Sequence, residues 1–250
     1  TSMGGLIILR LLEEHPGMYA GVLPVCGPLD GAGGFWSGSF HTRALFDYFY
    51  PGVLPGNALN PPPGTDGGDL FNDAFGAVLS DPGPAQELIG ALPVAMPYAD
   101  LFELAIIIGA QVSFGDEVII EEIKERTRSE ELFDNSETVY SGTSDDAGLN
   151  EGIDRFMSSP QAENFFRRWY TPSGDLSAPV LSLRTTRDPI VSPYLDDAFA
   201  ARVDALGKSH LLVRRTFDRF GHCAISAANE YGPAFDDLVS WAETGVVPAP

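Results

Sequence analysis

Thr1-Ser2-Met3-Gly4-Gly5, running directly into Leu6-Ile7-Ile8-Leu9-Arg10-Leu11-Leu12, is the stretch on which the reading of this 250-residue chain turns. A serine before an apolar helical run is an ordinary helix N-cap or a hydroxyl presented on a sharp turn into the helix. The residues downstream separate these readings. After a Glu13-Glu14-His15-Pro16-Gly17 stop comes Tyr19-Ala20-Gly21-Val22-Leu23-Pro24-Val25-Cys26-Gly27, a short apolar stretch closed by glycine that predicts a buried strand. Helix followed by strand is the second half of a right-handed crossover.

The pattern resumes at Ala178–Thr185, a strand entered through Pro179, which can begin a strand because it has no N–H to donate. It runs into Thr186-Arg187-Asp188-Pro189-Ile190-Val191-Ser192-Pro193. A helix over Tyr194–Leu206 comes next, then a Gly207 stop, a strand over His210–Phe217 and the turn Phe220-Gly221-His222-Cys223. Helices and strands alternating at long spacing predict an α/β fold with a parallel sheet. Ser2, Asp188 and His222 then stand in chain order, the last two each after a strand.

Those residue types suit one chemistry. A serine hydroxyl is a poor nucleophile at neutral pH and needs a base within hydrogen-bond reach, which His222 would be. Asp188 would hold the imidazole tautomer and stabilise the imidazolium. Asp175 precedes its strand, Asp196 and Asp197 lie within the helix and Asp218 belongs to the histidine's own loop, so each is less well placed. The Met3 amide, next after the nucleophile, would be one oxyanion donor. His15, His41 and His210 fall at a helix end, an aromatic stretch and a strand start, and read as surface or structural.

With one glycine upstream of Thr1, the opening residues would complete G-x-S-x-G, the nucleophile elbow. Together with the R-D-P-I-V-S-P acid loop, the G-H-C histidine loop and the closing Trp241–Pro248 segment, they make residues 1–30 and 160–250 resemble the C-terminal part of an α/β-hydrolase, a serine esterase or related acyl hydrolase. The resemblance implies an α/β-hydrolase fold lacking its N-terminal strands, and an acyl-enzyme mechanism on an ester with no cofactor and no metal. The His-Cys pair is similar to that of tannases and feruloyl esterases, where the cysteine bonds to one just before the nucleophile; Thr1 holds that place here. Cys26 and Cys223 would both lie near the sheet's carboxyl edge, either as two buried thiols or as a disulfide pinning the histidine loop.

The resemblance divides the chain into a core over 1–30 and 160–250 and a mainly helical cap over 31–159. The cap opens on a flexible aromatic stretch, Gly31–Ser37, and passes a proline-rich break over Pro51–Gly64. Helical patterns lie around Asp69–Leu79, Ala85–Leu92, Tyr98–Gly109, Gly115–Arg128 and Glu151–Met157. Phe35, Trp36 and Phe46 are candidates for an acyl or aryl pocket, or for the cap's own core. Without preceding strands, Tyr19–Cys26 would be an exposed edge, so the 250 residues alone are expected to be inactive or poorly folded.

Composition narrows the function classes. The chain is 44% apolar, without repeats, and carries 35 acidic against 15 basic residues, a net charge of −20. Such a field repels phosphate backbones and anionic membranes and argues against nucleic-acid binding. No apolar run approaches the length of a membrane span. Gly31-Ala32-Gly33-Gly34 lacks the strand–turn–helix setting of a phosphate cradle. An amidase or peptidase would use the same three residues, an N-terminal-nucleophile hydrolase would use Thr1, and a binding module would use none. Oligomeric state and localisation are not written in the sequence.

Overall fold

The computed structural model describes residues 1–250 as a mixed α/β chain with ten α-helices and two parallel strands. It divides into two compact units, Thr1–Phe35 with Tyr170–Pro250, and Trp36–Trp169. Both divisions fall inside helices, the first within α2 (Ala32–Phe49) and the second within α8 (Pro160–Tyr170). Gly31–Ser37 was expected to be flexible; Ala32 onward is instead the first part of an 18-residue helix.

In the first unit, α1 (Met3–Glu14) buries Leu6, Leu9 and Leu12 at helical spacing. Strand β1 (Val180–Arg187) leads through α9 (Leu195–Ala205) to β2 (Leu212–Phe220), and the two strands pair in parallel from Val180↔Leu212 onward. The expected strand at Tyr19–Cys26 is reduced to two isolated bridges, Val22↔Val180 and Val25↔Leu183. Pro24 is the reason. The Val22 and Cys26 amides donate to Pro179 and Leu183, but Pro24 has no N–H for the bond between them, so the ladder is interrupted. On the side away from β1, the amide and carbonyl of Leu23 have no partner, leaving an open edge.

Side chains above and below this three-row sheet form two cores. Leu9, Leu12, Val22, Leu29, Val180, Phe199 and Val203 pack on one side. Val25, Leu181, Leu183 and Val213 pack on the other against Leu238 and Trp241 of α10 (Gly232–Thr244). The start of α1 lies so close to the chain after Cys26 that a Cβ on Gly27 would sit 3.0 Å from the Gly5 Cα, and one on Gly5 would sit 3.1 Å from the Gly27 Cα. A disulfide joins Cys26 to Cys223.

The second unit is helical. Its helices α3 (Gly67–Ser80), α4 (Pro82–Ala91), α5 (Leu101–Val112), α6 (Glu117–Thr127) and α7 (Asp146–Gly152) match the sequence patterns except the last. A helix was expected over Glu151–Met157, yet α7 ends at Gly152. The Asn135 side chain accepts from the Phe156 amide and the Phe156 carbonyl accepts from the Asn135 amide, which holds this segment out of the helix. Part of the acid content is structural, because Asp66, Asp100, Asp116 and Asp145 cap α3, α5, α6 and α7 through their carboxylates. No helix is long and apolar enough to cross a membrane.

Two titratable side chains of this unit, the buried His41 and the partly buried Asp47, have side-chain partners. The His41 Nδ1 lies 2.7 Å from the Tyr140 hydroxyl, which also accepts from Asn135, and Phe133 packs edge-on against the imidazole. Burial lowers the His41 pKa to about 4. Asp47 goes the other way: burial raises it to about 6, against the attraction of Arg43.

Packing and charge each generate a prediction. Gly27→Ala is expected to destabilise the fold by about 1–3 kcal/mol in urea denaturation, because its methyl meets backbone that cannot rotate away. Gly4→Ala, whose Cβ meets nothing within 4 Å, is expected to stay within about 0.5 kcal/mol of the parent. The neutral form of His41 is favoured in the fold, so its contribution is present above the unfolded pKa of 6.5 and lost as pH falls toward about 4. Relative to His41→Gln, the parent should therefore lose about 2 kcal/mol between pH 7 and 4.5. Asp47, common to both proteins, gains stability over part of that range and cancels in the difference.

Candidate functional site

Ser2 stands immediately before α1 with φ 51° and ψ −129°, a left-handed φ that a non-glycine residue adopts only under constraint. Its amide donates to the Val25 carbonyl at 2.8 Å, and the Gly5 amide donates to its carbonyl at 2.7 Å. Its hydroxyl makes no cap bond to the helix, so the N-cap role that serine often fills is not the one it plays here. The hydroxyl oxygen instead lies 2.8 Å from His222 Nε2.

His222 lies in the turn after β2. Its Nδ1 is 2.8 Å from Asp188 Oδ2 and 3.0 Å from Oδ1. Asp188, on the turn after β1, is 2% exposed, and its Oδ1 also accepts the Ile190 and Val191 amides at 2.8 and 2.9 Å. An ionised carboxylate can only accept, so Nδ1 carries the proton toward Asp188 and Nε2 is left to accept from the Ser2 hydroxyl. The other aspartates are occupied elsewhere. Asp175 pairs with Lys208, Asp196 with Arg184, Asp197 with Arg184 and Arg214, and Asp218 with Arg187.

Backbone groups complete the arrangement. The Gly4 and Gly5 amides donate to the Thr1 and Ser2 carbonyls at 2.9 and 2.7 Å. The Met3 amide is the first of the α1 donors, which helices leave without an intrahelical partner. The histidine turn is held at Gly221, whose amide donates to the Arg187 carbonyl and whose carbonyl accepts from the Thr185 hydroxyl. The disulfide fixes the turn on its far side, with Cys223 Sγ 3.7 Å from His222 Nε2. Ligand atoms of Cys26, His222 and Cys223 lie within 4.8 Å of one another. With the sulfurs bonded to each other there is no thiolate, and the cluster does not suit a metal ion.

Sequence reasoning did not single out Thr185 or the Ile190 and Val191 amides. The second pair carried a signal, since an aspartate two residues before an amide commonly accepts it in an Asx turn. Of the candidate pocket aromatics, Trp36 and Phe46 pack in different apolar clusters. Phe35 is half-buried in the first unit, while Trp36 packs on Phe40 and Phe114 in the second. Phe46 is fully buried and stacked on Tyr50, so it has no surface to offer a ligand. It closes the continuously buried run Ser39–Phe46 of α2.

No protein-family model matches the chain, and no curated protein matches it. Among solved structures it is similar to feruloyl esterase B from Aspergillus oryzae over 99% of this chain and 59% of that one, at 14% identity and a TM-score of 0.53. An esterase from Aspergillus oryzae matches at 14% identity and a TM-score of 0.44, covering 99% of this chain and 58% of that one. Tannin acyl hydrolase from Aspergillus niger matches at 12% identity and a TM-score of 0.44, with 99% and 56% covered. The chain thus spans less than two thirds of the length of each, and with feruloyl esterase B it shares a fold.

Proposed function

We propose that this chain carries the catalytic residues of a serine hydrolase acting on carboxylic esters of small molecules, built on an α/β-hydrolase core with Trp36–Trp169 as a helical cap. The observation that carries the reading is the continuous contact from Ser2 through His222 to Asp188, at 2.8 Å on each side of the imidazole. The fold likeness to an esterase supports it.

This reading assigns a residue to each step. As the Ser2 oxygen attacks the ester carbonyl carbon, its proton passes to His222 Nε2, and Asp188 stabilises the resulting imidazolium. Negative charge develops on the former carbonyl oxygen, where the Met3 amide is one available donor. Collapse of the tetrahedral species expels the alcohol, which takes the proton from Nε2 and leaves an acyl group on Ser2. Water then attacks the acyl-enzyme, with the histidine again as base, and releases the acid. No residue in this sequence of steps requires a cofactor. The fixed φ of Ser2 holds its oxygen ready for attack without a search through rotamers and backbone states.

A fluorophosphonate with peptide mapping tests the reading, applied to the chain in its natural full-length context because the open edge at Leu23 favours association of the isolated residues. Label is expected on Ser2, with loss of p-nitrophenyl acetate and butyrate turnover. Ser2→Ala should abolish that turnover, and Asp188→Asn should lower kcat by roughly 10³–10⁴-fold through the wrong imidazole tautomer. Label on Thr1 would instead establish an N-terminal nucleophile, and a folded, unlabelled protein would leave only a binding role for the scaffold. Alkylation without reductant should leave the mass unchanged. Reduction of the bond between Cys26 and Cys223, which closes a loop of 197 residues, should cost about 2–5 kcal/mol of stability by chemical denaturation.

A further inference from the structure

We infer that Thr185 is a positioning residue for the His222 imidazole, acting through the backbone of Gly221; the inference rests on the serine hydrolase reading above and extends it to a residue outside the Ser2, His222 and Asp188 set.

Three features converge at the end of β1. Thr185 is fully buried, and its hydroxyl donates to the Gly221 carbonyl at 2.8 Å. Two residues on, the Arg187 carbonyl accepts the Gly221 amide at 2.9 Å. Asp188 then takes His222 Nδ1. Three residues at and just past one strand end, Thr185, Arg187 and Asp188, therefore hold the carbonyl, the amide and the ring of a two-residue segment. The Gly221 to His222 peptide is gripped at its oxygen by Thr185, so the plane from which the imidazole projects is set by that hydroxyl.

The sheet is adjusted to make this possible. The register runs Thr185↔Phe217 and then Arg187↔Phe220, so two steps along β1 face three along β2. An extra residue on one strand bends it locally and re-aims the chain beyond it, as bulges beside active sites do. Gly221 turns the chain at φ 123°, a conformation that side chains rarely adopt, and a Cβ there would sit 3.1 Å from the Ala224 Cβ. With no side chain of its own to pack, Gly221 is fixed through its two backbone groups: β1 holds the amide and, by the shorter of two bonds, the carbonyl, which also accepts the Ala224 amide at 3.5 Å. A buried valine would fill the Thr185 site equally well by shape. The hydroxyl is therefore explained by the bond it makes, and its loss leaves the carbonyl only the longer bond from the Ala224 amide, at 3.5 Å.

Ser182 supplies an internal control, since its hydroxyl is buried on the same strand with no partner. Thr185→Val, Thr185→Ser and Ser182→Ala are compared in the full-length protein by two readouts. The first is the rate of fluorophosphonate labelling at Ser2. The second needs no catalysis: the slowly exchanging downfield proton resonance of His222 Nδ1–H in its bond to Asp188. Thr185→Val is expected to slow labelling by roughly ten- to a hundredfold and to broaden the resonance, while Thr185→Ser and Ser182→Ala stay near the parent. Thr185→Cys, which keeps a weaker donor, is the graded variant should the valine protein not fold, with a smaller loss in both readouts expected. Parent-like labelling and an unchanged resonance in Thr185→Val overturn the positioning role and leave the hydrolase reading intact. If the parent is not labelled but Thr185→Val still loses the resonance, the positioning role stands and the hydrolase reading falls. An unlabelled parent with an unchanged resonance in Thr185→Val overturns both.

Discussion

Asp188 and His222 are 34 residues apart in the chain and meet because the strands before them run parallel and end at one edge. Parallel pairing of β1 with β2 requires a crossover, supplied by α9, and a crossover returns the chain to the same end of the sheet each time. The turns after the two strands are thereby delivered side by side without any attraction between them. Ser2 reaches the same edge by another route, its amide bonded to Val25 in the row on the opposite side of β1. Three distant segments of chain are thus brought together by backbone pairing, and the side-chain contacts between Ser2, His222 and Asp188 result from it.

Much of this arrangement was legible in the sequence because turns at strand ends use residues with particular backbone demands. Gly221 before His222, the Asp-Pro pair at 188 and 189 and the small residues around Ser2 each mark a turn by its chemistry. Apolar runs likewise placed β1, β2 and α9 to within a few residues. The features that stayed concealed depended on a partner. Tyr19–Cys26 reads as a strand by hydrophobicity, but whether Pro24 breaks it depends on which edge its missing amide faces. The end of α7 is set by Asn135, far from it in sequence. Gly31–Ser37 looks flexible from its glycines, yet it is continuous with apolar helix beyond and is carried into α2. Thr185 looks like any β-branched strand residue until Gly221 is placed opposite its hydroxyl.

The second unit shows how an acidic chain with few lysines builds a core. Only Lys124 and Lys208 are present, so carboxylates cannot all be neutralised by lysine pairs. Four aspartates are placed at helix N-caps, where backbone amides and the helix dipole satisfy them. Arg43 is buried beside Asp47, binding it through Nε and the Pro55 carbonyl through a terminal nitrogen. The same burial raises Asp47 and lowers His41, so the two groups bias the folded state in opposite directions as pH falls. Their opposition flattens the pH dependence that either would impose alone.

Ser2 holds a backbone conformation that costs of order 1–3 kcal/mol for a non-glycine residue. Such a geometry persists only where neighbours over-determine it. Here the Ser2 amide is tied to Val25, its carbonyl to Gly5, and the start of α1 is pressed against Gly27 so closely that neither glycine can carry a side chain without displacement. Cys26 lies between Val25 and Gly27 and is itself at φ 46°, anchored through its disulfide to the histidine turn. Strain at the serine is therefore opposed by contacts that also fix the histidine turn. A change that relaxes one relaxes the other, because Val25, Cys26 and Gly27 are consecutive in one short segment that touches both.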